Sequence, residues 1–125
     1  MPLRLERIEW MPSPPLAPDD GPIDFAHLSR MTLGDGGLER EVLTMFSAQS
    51  ARLVGQIAAL AGDAGALAHT LKGSARAIGA FAVADAAGRF EEVLASGADT
   101  AEPLTELGKA VALVRTAIEA ILRRA

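Results

Sequence analysis

The chain has no cysteine and no tyrosine, and its 125 residues include one tryptophan, four phenylalanines and two histidines. Without cysteine there is no disulfide, no thiolate nucleophile and no cysteine metal site, a usage that suits a reducing cytoplasm. The two histidines, His27 and His69, are isolated from each other and lack His-Glu-x-x-His spacing, so no zinc pattern is present. No stretch approaches the roughly 20 apolar residues of a membrane span. The opening run, Met1 to Trp10, carries charges where a signal peptide has its apolar core, so a cytoplasmic chain without a membrane partner is expected. A basic excess is also missing: 12 Lys and Arg against 16 Asp and Glu leave a net charge of −4. A nucleic-acid partner would need a concentrated basic face, which the sequence does not show.

What the chain does have is aliphatic material. Half of its residues are hydrophobic and only 4% are aromatic, so Leu, Ile, Val and Ala must build the core of a single domain. Residues 1–22 stand apart by composition, with Pro12, Pro14, Pro15, Pro18 and Pro22 marking a proline-rich tail or linker. Within that tail Leu3, Leu5, Ile8 and Trp10 suit a short docked strand, a helical turn or no fixed structure, and Trp10 suits an edge cap on the bundle better than a ligand site. Residues 23–125 form the folded domain.

Helical periodicity runs through that domain. A short helix over about Asp24 to Met31 ends before the breaker Gly34-Asp35-Gly36-Gly37. A long second helix shows Leu38, Val42, Met45, Phe46, Leu53, Ile57 and Leu60 at helical spacings. Gly62-Asp63 closes it, and Asp63 is placed to cap the third helix, which runs to about Gly79. Val83, Ala87, Phe90 and Leu94 give the fourth helix its apolar side, up to Ser96-Gly97. Thr100 or Asp99 then caps a last helix whose Leu104, Leu107, Val111, Val114, Ile118 and Ile121 alternate steps of three and four. Arg123-Arg124 supplies favourable charge at its C-terminus. The reading is an all-α protein, an antiparallel up-down four-helix bundle with a short extra N-terminal helix.

The third helix carries the candidate chemistry. At about 100° per residue, Ala68, Leu71, Ala75 and Ile78 fall on one side, while His69, Lys72, Gly73 and Arg76 fall on the other. A free imidazole titrates near pH 6.5, so at neutral pH a ring nitrogen can attack phosphorus without a dedicated base. Lys72, one turn on, offers a compact cation to phosphoryl oxygens. Gly73 costs a helix interior about 1 kcal/mol relative to alanine, which points to a need for space beside the histidine. Gly65, Ala66, Ala77 and Ala80 extend that reading to a low platform on which a partner could settle.

The run His69-Thr70-Leu71-Lys72-Gly73-Ser74-Ala75, followed by Ile78-Gly79-Ala80, resembles the signature of histidine-containing phosphotransfer (HPt) domains, the intermediate carriers of bacterial phosphorelays. Ile23-Asp24, Gly34-Asp35 and Phe90-Glu91-Glu92 are placed as in that family, and the resemblance covers roughly residues 23 to 122. It implies a carrier that accepts a phosphoryl group on His69 from the aspartate of one receiver domain and passes it to another. It further implies charge balance by Lys72 and clearance for docking by Gly73; Arg76 joins them from helix geometry. Some members add a glutamine or arginine from the following helix, for which Arg89 is the candidate counterpart. The partners implied are receiver domains of response regulators and hybrid histidine kinases. No cofactor is implied on this chain, since the Mg²⁺ belongs to the receiver.

Two other classes compete. A sensor kinase's dimerisation and phosphoacceptor region also displays a histidine on a helix, but there the next residue is usually acidic, whereas Thr70 stands here and no ATP-binding region follows. A phosphocarrier without an ATP site, not an autonomous kinase, is therefore expected. The other alternative is a non-catalytic helical adaptor in which His69 is incidental. His27 reads as structural, and the adjacent Glu91 and Glu92 read as solvated rather than as an acid/base pair.

Overall fold

A computed structural model describes residues 21–59 and 62–124. Tail residues 1–20, with Leu3, Leu5, Ile8 and Trp10, lie outside the described residues, as does Leu60. Five helices occupy the rest: α1 (Phe25–Met31), α2 (Gly36–Ala58), α3 (Ala64–Ile78), α4 (Phe81–Ser96) and α5 (Ala101–Arg123). Each of α2 to α5 packs on two neighbours, in the cyclic order α2, α3, α4, α5, with α1 laid against α3. Short connections make successive helices antiparallel, so the all-α up-down bundle with a short extra helix stands as its periodicity predicts. No helix among the described residues is long and apolar enough to cross a membrane.

Each helix enters the core through one stripe. On α3 the stripe is Ala64, Ala68, Leu71, Ala75 and Ile78; on α5 it is Leu107, Val111, Val114 and Ile118. Both alternate steps of four and three, the spacing that holds one face toward a partner helix. Alanines at positions 68 and 75 of α3 and at 84 and 87 of α4, all buried, let these two helices approach closely. Phe90 fills the centre among aliphatic neighbours.

The stripe on α2 differs from the sequence expectation. It runs Leu43, Phe46, Ser50, Leu53 and Ile57, whereas Met45 is 66% exposed and Leu38 40% exposed. The seam passes through a serine, which a search for apolar residues skips. Ser50 can be buried because its hydroxyl donates to the Ser47 carbonyl at 3.1 Å, inside its own helix. A single seam of this kind leaves no room on the core side for Met45.

Capping sets where the elements start and stop. Asp24 and Asp35 accept backbone N–H bonds from His27 and Leu38 through their side chains, at 3.1 and 3.0 Å. Asp63 occupies the cap position of α3 but makes no side-chain capping bond, contrary to expectation. At α5 Thr100 holds the position without bonding, and Asp99 Oδ1 accepts from Ala101 N at 2.9 Å. At the far end, Arg40 of α2 donates to the carbonyls of Leu122 (2.6 Å) and Arg124 (3.3 Å), covering acceptors that the end of α5 leaves unpaired.

The α3–α4 corner ties α1 in place. Gly79 has φ +87°, and a Cβ there would lie 2.8 Å from the Asp24 carbonyl oxygen. The Asp24 N–H donates to the Gly79 carbonyl at 2.9 Å. His27 Nε2–H donates to the Ala77 carbonyl at 3.1 Å, and its ring meets Phe81 edge-on at 5.2 Å. The glycine thus has the left-handed conformation and the close approach that only a residue without Cβ accommodates.

Candidate functional site

His69 follows Ala68, which is fully buried, so the helical turn carries the imidazole outward. Its side chain is 70% exposed. Lys72 lies one turn further on, and α4 runs alongside both. The small residues on the facing sides of α3 and α4 bring Glu91 across to them. His69 Nδ1 is 3.2 Å from Glu91 Oε2, and Lys72 Nζ is 2.8 Å from Glu91 Oε1. One carboxylate therefore joins the ring and the ammonium.

Glu91 is not the solvated residue that its place beside Glu92 predicts. Its side chain is only 23% exposed, and Oε1 is out of contact with solvent, with the Lys72 ammonium as its counter-charge. Burial alone would push this carboxyl up. Hydrogen bonds and charge from Lys72 and His69 outweigh burial and hold it below its ordinary value of 4.5. Glu91 is thus ionised at neutral pH and can only accept. Nδ1 must then be the donor, which leaves the lone pair on Nε2, the nitrogen turned away from Glu91.

The adjacency of Glu91 and Glu92 concealed the difference between them. The buried series Val83, Ala84, Ala87 and Phe90 sets the phase of α4, and in that phase the row Ala84, Gly88, Glu91 faces α3 while Glu92 turns to solvent. Two small residues followed by an acid at steps of four and three was the signal. At Gly88 a Cβ would stand 3.5 Å from Lys72 Cδ, so the bare backbone makes a bed for the lysine stem.

Gly73 faces open space, with no heavy atom within 4 Å of where its Cβ would be. Arg76 is exposed and lines a shallow depression of about 500 Å³ with Lys72, Glu91 and Arg89. Arg89 stands on the outer ridge of α4 and also borders a second depression on the α5 side. Among the described residues, neither guanidinium forms an ion pair. The low platform is partly corrected. Ala66 and Ala77 are exposed, but Gly65 turns toward Leu94 of α4, and Ala80 is fully buried at the α3–α4 corner, where it packs rather than receives a partner.

An exposed imidazole with a fixed proton, a neighbouring ammonium and free space in front can accept a small electrophile brought by another surface. It has little enclosure of its own. The profile of the Hpt domain matches residues 41–124. No curated protein and no solved structure matches the chain.

Proposed function

The chain belongs to the Hpt domain family, and on that premise we propose that it is a phosphorelay carrier whose phosphorylated residue is His69. The family assigns histidine phosphotransfer with receiver domains in general. The observation that carries the finer reading is the contact of Glu91 with His69 Nδ1, because it aims the free lone pair of Nε2 outward from an exposed ring.

Nε2 attacks the phosphorus of a receiver's aspartyl phosphate, the N–P bond forms, and the acyl O–P bond breaks to return the aspartate carboxylate. The Nδ1 proton stays on the ring, hydrogen-bonded to Glu91, whose negative charge offsets the cationic phosphoimidazole. Delivery to a second receiver reverses each step. Mg²⁺ on the receiver supplies charge stabilisation for the phosphoryl group in flight. On this chain Lys72, released from Glu91 by a short swing, and Arg76 meet the phosphoryl oxygens, while Gly73 leaves the approach clear. Arg89, exposed on the neighbouring helix, meets the docking receiver.

We place this activity in a bacterial cytoplasm, with the chain as a monomer that presents one histidine from one bundle. Incubation with a phosphorylated receiver tests the assignment. The wild-type protein gains acid-labile, alkali-stable phosphate without ATP, and His69→Gln gains none. Label retained by His69→Gln would move the site elsewhere, a need for ATP would indicate a kinase fragment, and no label on wild type would leave an adaptor.

A further inference from the structure

Across the α4 ridge of Asp85 and Arg89, α4 and α5 border a depression of about 690 Å³, within the range of pockets that take several side chains. Its floor is apolar, from Val83 and Ala86 of α4 and Ala110 and Leu113 of α5. Leu113 is 64% exposed although it stands among other apolar groups. The rim carries both signs: Asp85 and Arg89 on α4, Glu106 and Lys109 on α5. Gly21 and Pro22, the first described residues of the chain, also line it.

We infer that this groove is the docking site for residues 3–10 of the same chain. Those residues read Leu-Arg-Leu-Glu-Arg-Ile-Glu-Trp, four apolar side chains interspersed with two basic and two acidic ones. The composition matches an apolar floor between walls of mixed charge, Arg4 and Arg7 finding Asp85 and Glu106, and Glu6 and Glu9 finding Arg89 and Lys109. The tether fits as well. Residues 11–20 carry Pro12, Pro14, Pro15 and Pro18, and such a linker spans about 3.1 Å per residue, or about 30 Å. Because α4 has 16 residues, at 1.5 Å each it is about 24 Å long, and the segment can reach any point of the groove.

Tethering also lowers the affinity required. A short linker holds its segment at an effective concentration of about 1 mM, so an intrinsic affinity of about 1 mM keeps the segment docked about half the time. Asp85 and Arg89 border the His69-side depression as well, so a docked tail lies against the ridge that separates the two faces.

Trp10 is the only tryptophan, so its emission in the full chain reports on the segment alone. Wild-type Trp10 is expected to be partly shielded from acrylamide. Leu113→Glu in the groove and Leu5→Glu in the segment should each weaken docking about tenfold, leaving about a tenth docked, so that the quenchable fraction roughly doubles and emission shifts to the red. The circular dichroism of both variants should match wild type, because Leu113 is exposed and position 5 lies outside α1 to α5. Trp10 as quenchable as a free indole in wild type, or shielding untouched by both variants, would overturn the inference. So would shielding that falls on dilution, which would make the occupant a second copy's tail. None of these readouts involves phosphoryl transfer, so the inference stands or fails independently of the role of His69.

Discussion

Glu91 holds Lys72 at 2.8 Å and His69 at 3.2 Å through its two different oxygens, so the charge of α4 is shared between the two groups of α3 on which phosphoryl chemistry would draw. A carboxylate in that position does two things at once. It keeps the proton on Nδ1, and it holds the ammonium beside the ring, where on the proposed function a phosphoryl group would compete for it.

Glu91→Gln removes the charge but keeps the shape. The amide can donate as well as accept, so a charge-assisted bond to Nδ1–H becomes a weaker neutral one, and a difference of about 1 kcal/mol should slow transfer from a phosphorylated receiver roughly fivefold. Nitrogen NMR of the His69 ring should show the Nδ1–H preference of the wild type diluted by the other tautomer. An unchanged rate with an unchanged tautomer mixture would remove Glu91 from the mechanism.

The same carboxyl makes stability depend on pH with a definite sign. Its folded-state value lies below the ordinary 4.5, so the unfolded chain takes up the proton first on acidification. The stability it contributes is fully present above about pH 5 and is lost as pH falls through the lower folded value. Urea midpoints of wild type and Glu91→Gln should therefore differ by a constant amount near neutrality and converge in acid. Parallel curves down to the lowest pH would show that the pairing contributes nothing.

Gly73→Gln separates helix stability from docking. The substitution improves helix propensity by about half a kcal/mol, and open space at the site means no clash within the protein. Thermal stability should hold or rise slightly while the transfer rate falls, by about tenfold if the new side chain costs docking 1.4 kcal/mol. Transfer at the wild-type rate would show that no partner surface approaches there.

Gly79→Ala should do the reverse. Left-handed backbone costs an L-residue about 1–2 kcal/mol, and the Asp24 carbonyl 2.8 Å from the new Cβ adds a clash with backbone that cannot swing aside. A loss of about 2 kcal/mol or more in denaturant unfolding is expected, with α1 amides the first to lose protection from hydrogen exchange. The folded fraction should transfer phosphate normally. A stability within error of wild type would mean that the α1 contact yields without cost.

The reading of α5 from sequence succeeded because Leu107, Val111, Val114 and Ile118 carry the whole seam in apolar side chains. On α2 the same approach put Met45 inside, because burial there runs through Ser50, whose polarity is cancelled within its own helix by a bond that no pattern of hydrophobicity records. Ala80 was misplaced for a related reason: helical phase was extended past Gly79, where the chain turns.

Sequence alone determined that this chain is a helical bundle and that His69, Lys72 and Gly73 share an outward stripe of one helix, since each of those facts depends only on the 3.6-residue repeat of neighbours along the chain. The tertiary structure decided that Glu91, 22 positions away, is the group that touches both His69 and Lys72. The repeat within α4 turns Glu91 toward α3 but does not say which residues it meets, because that depends on how closely two alanine-rich faces pack and in what register, a property of the pair of helices and of neither one alone.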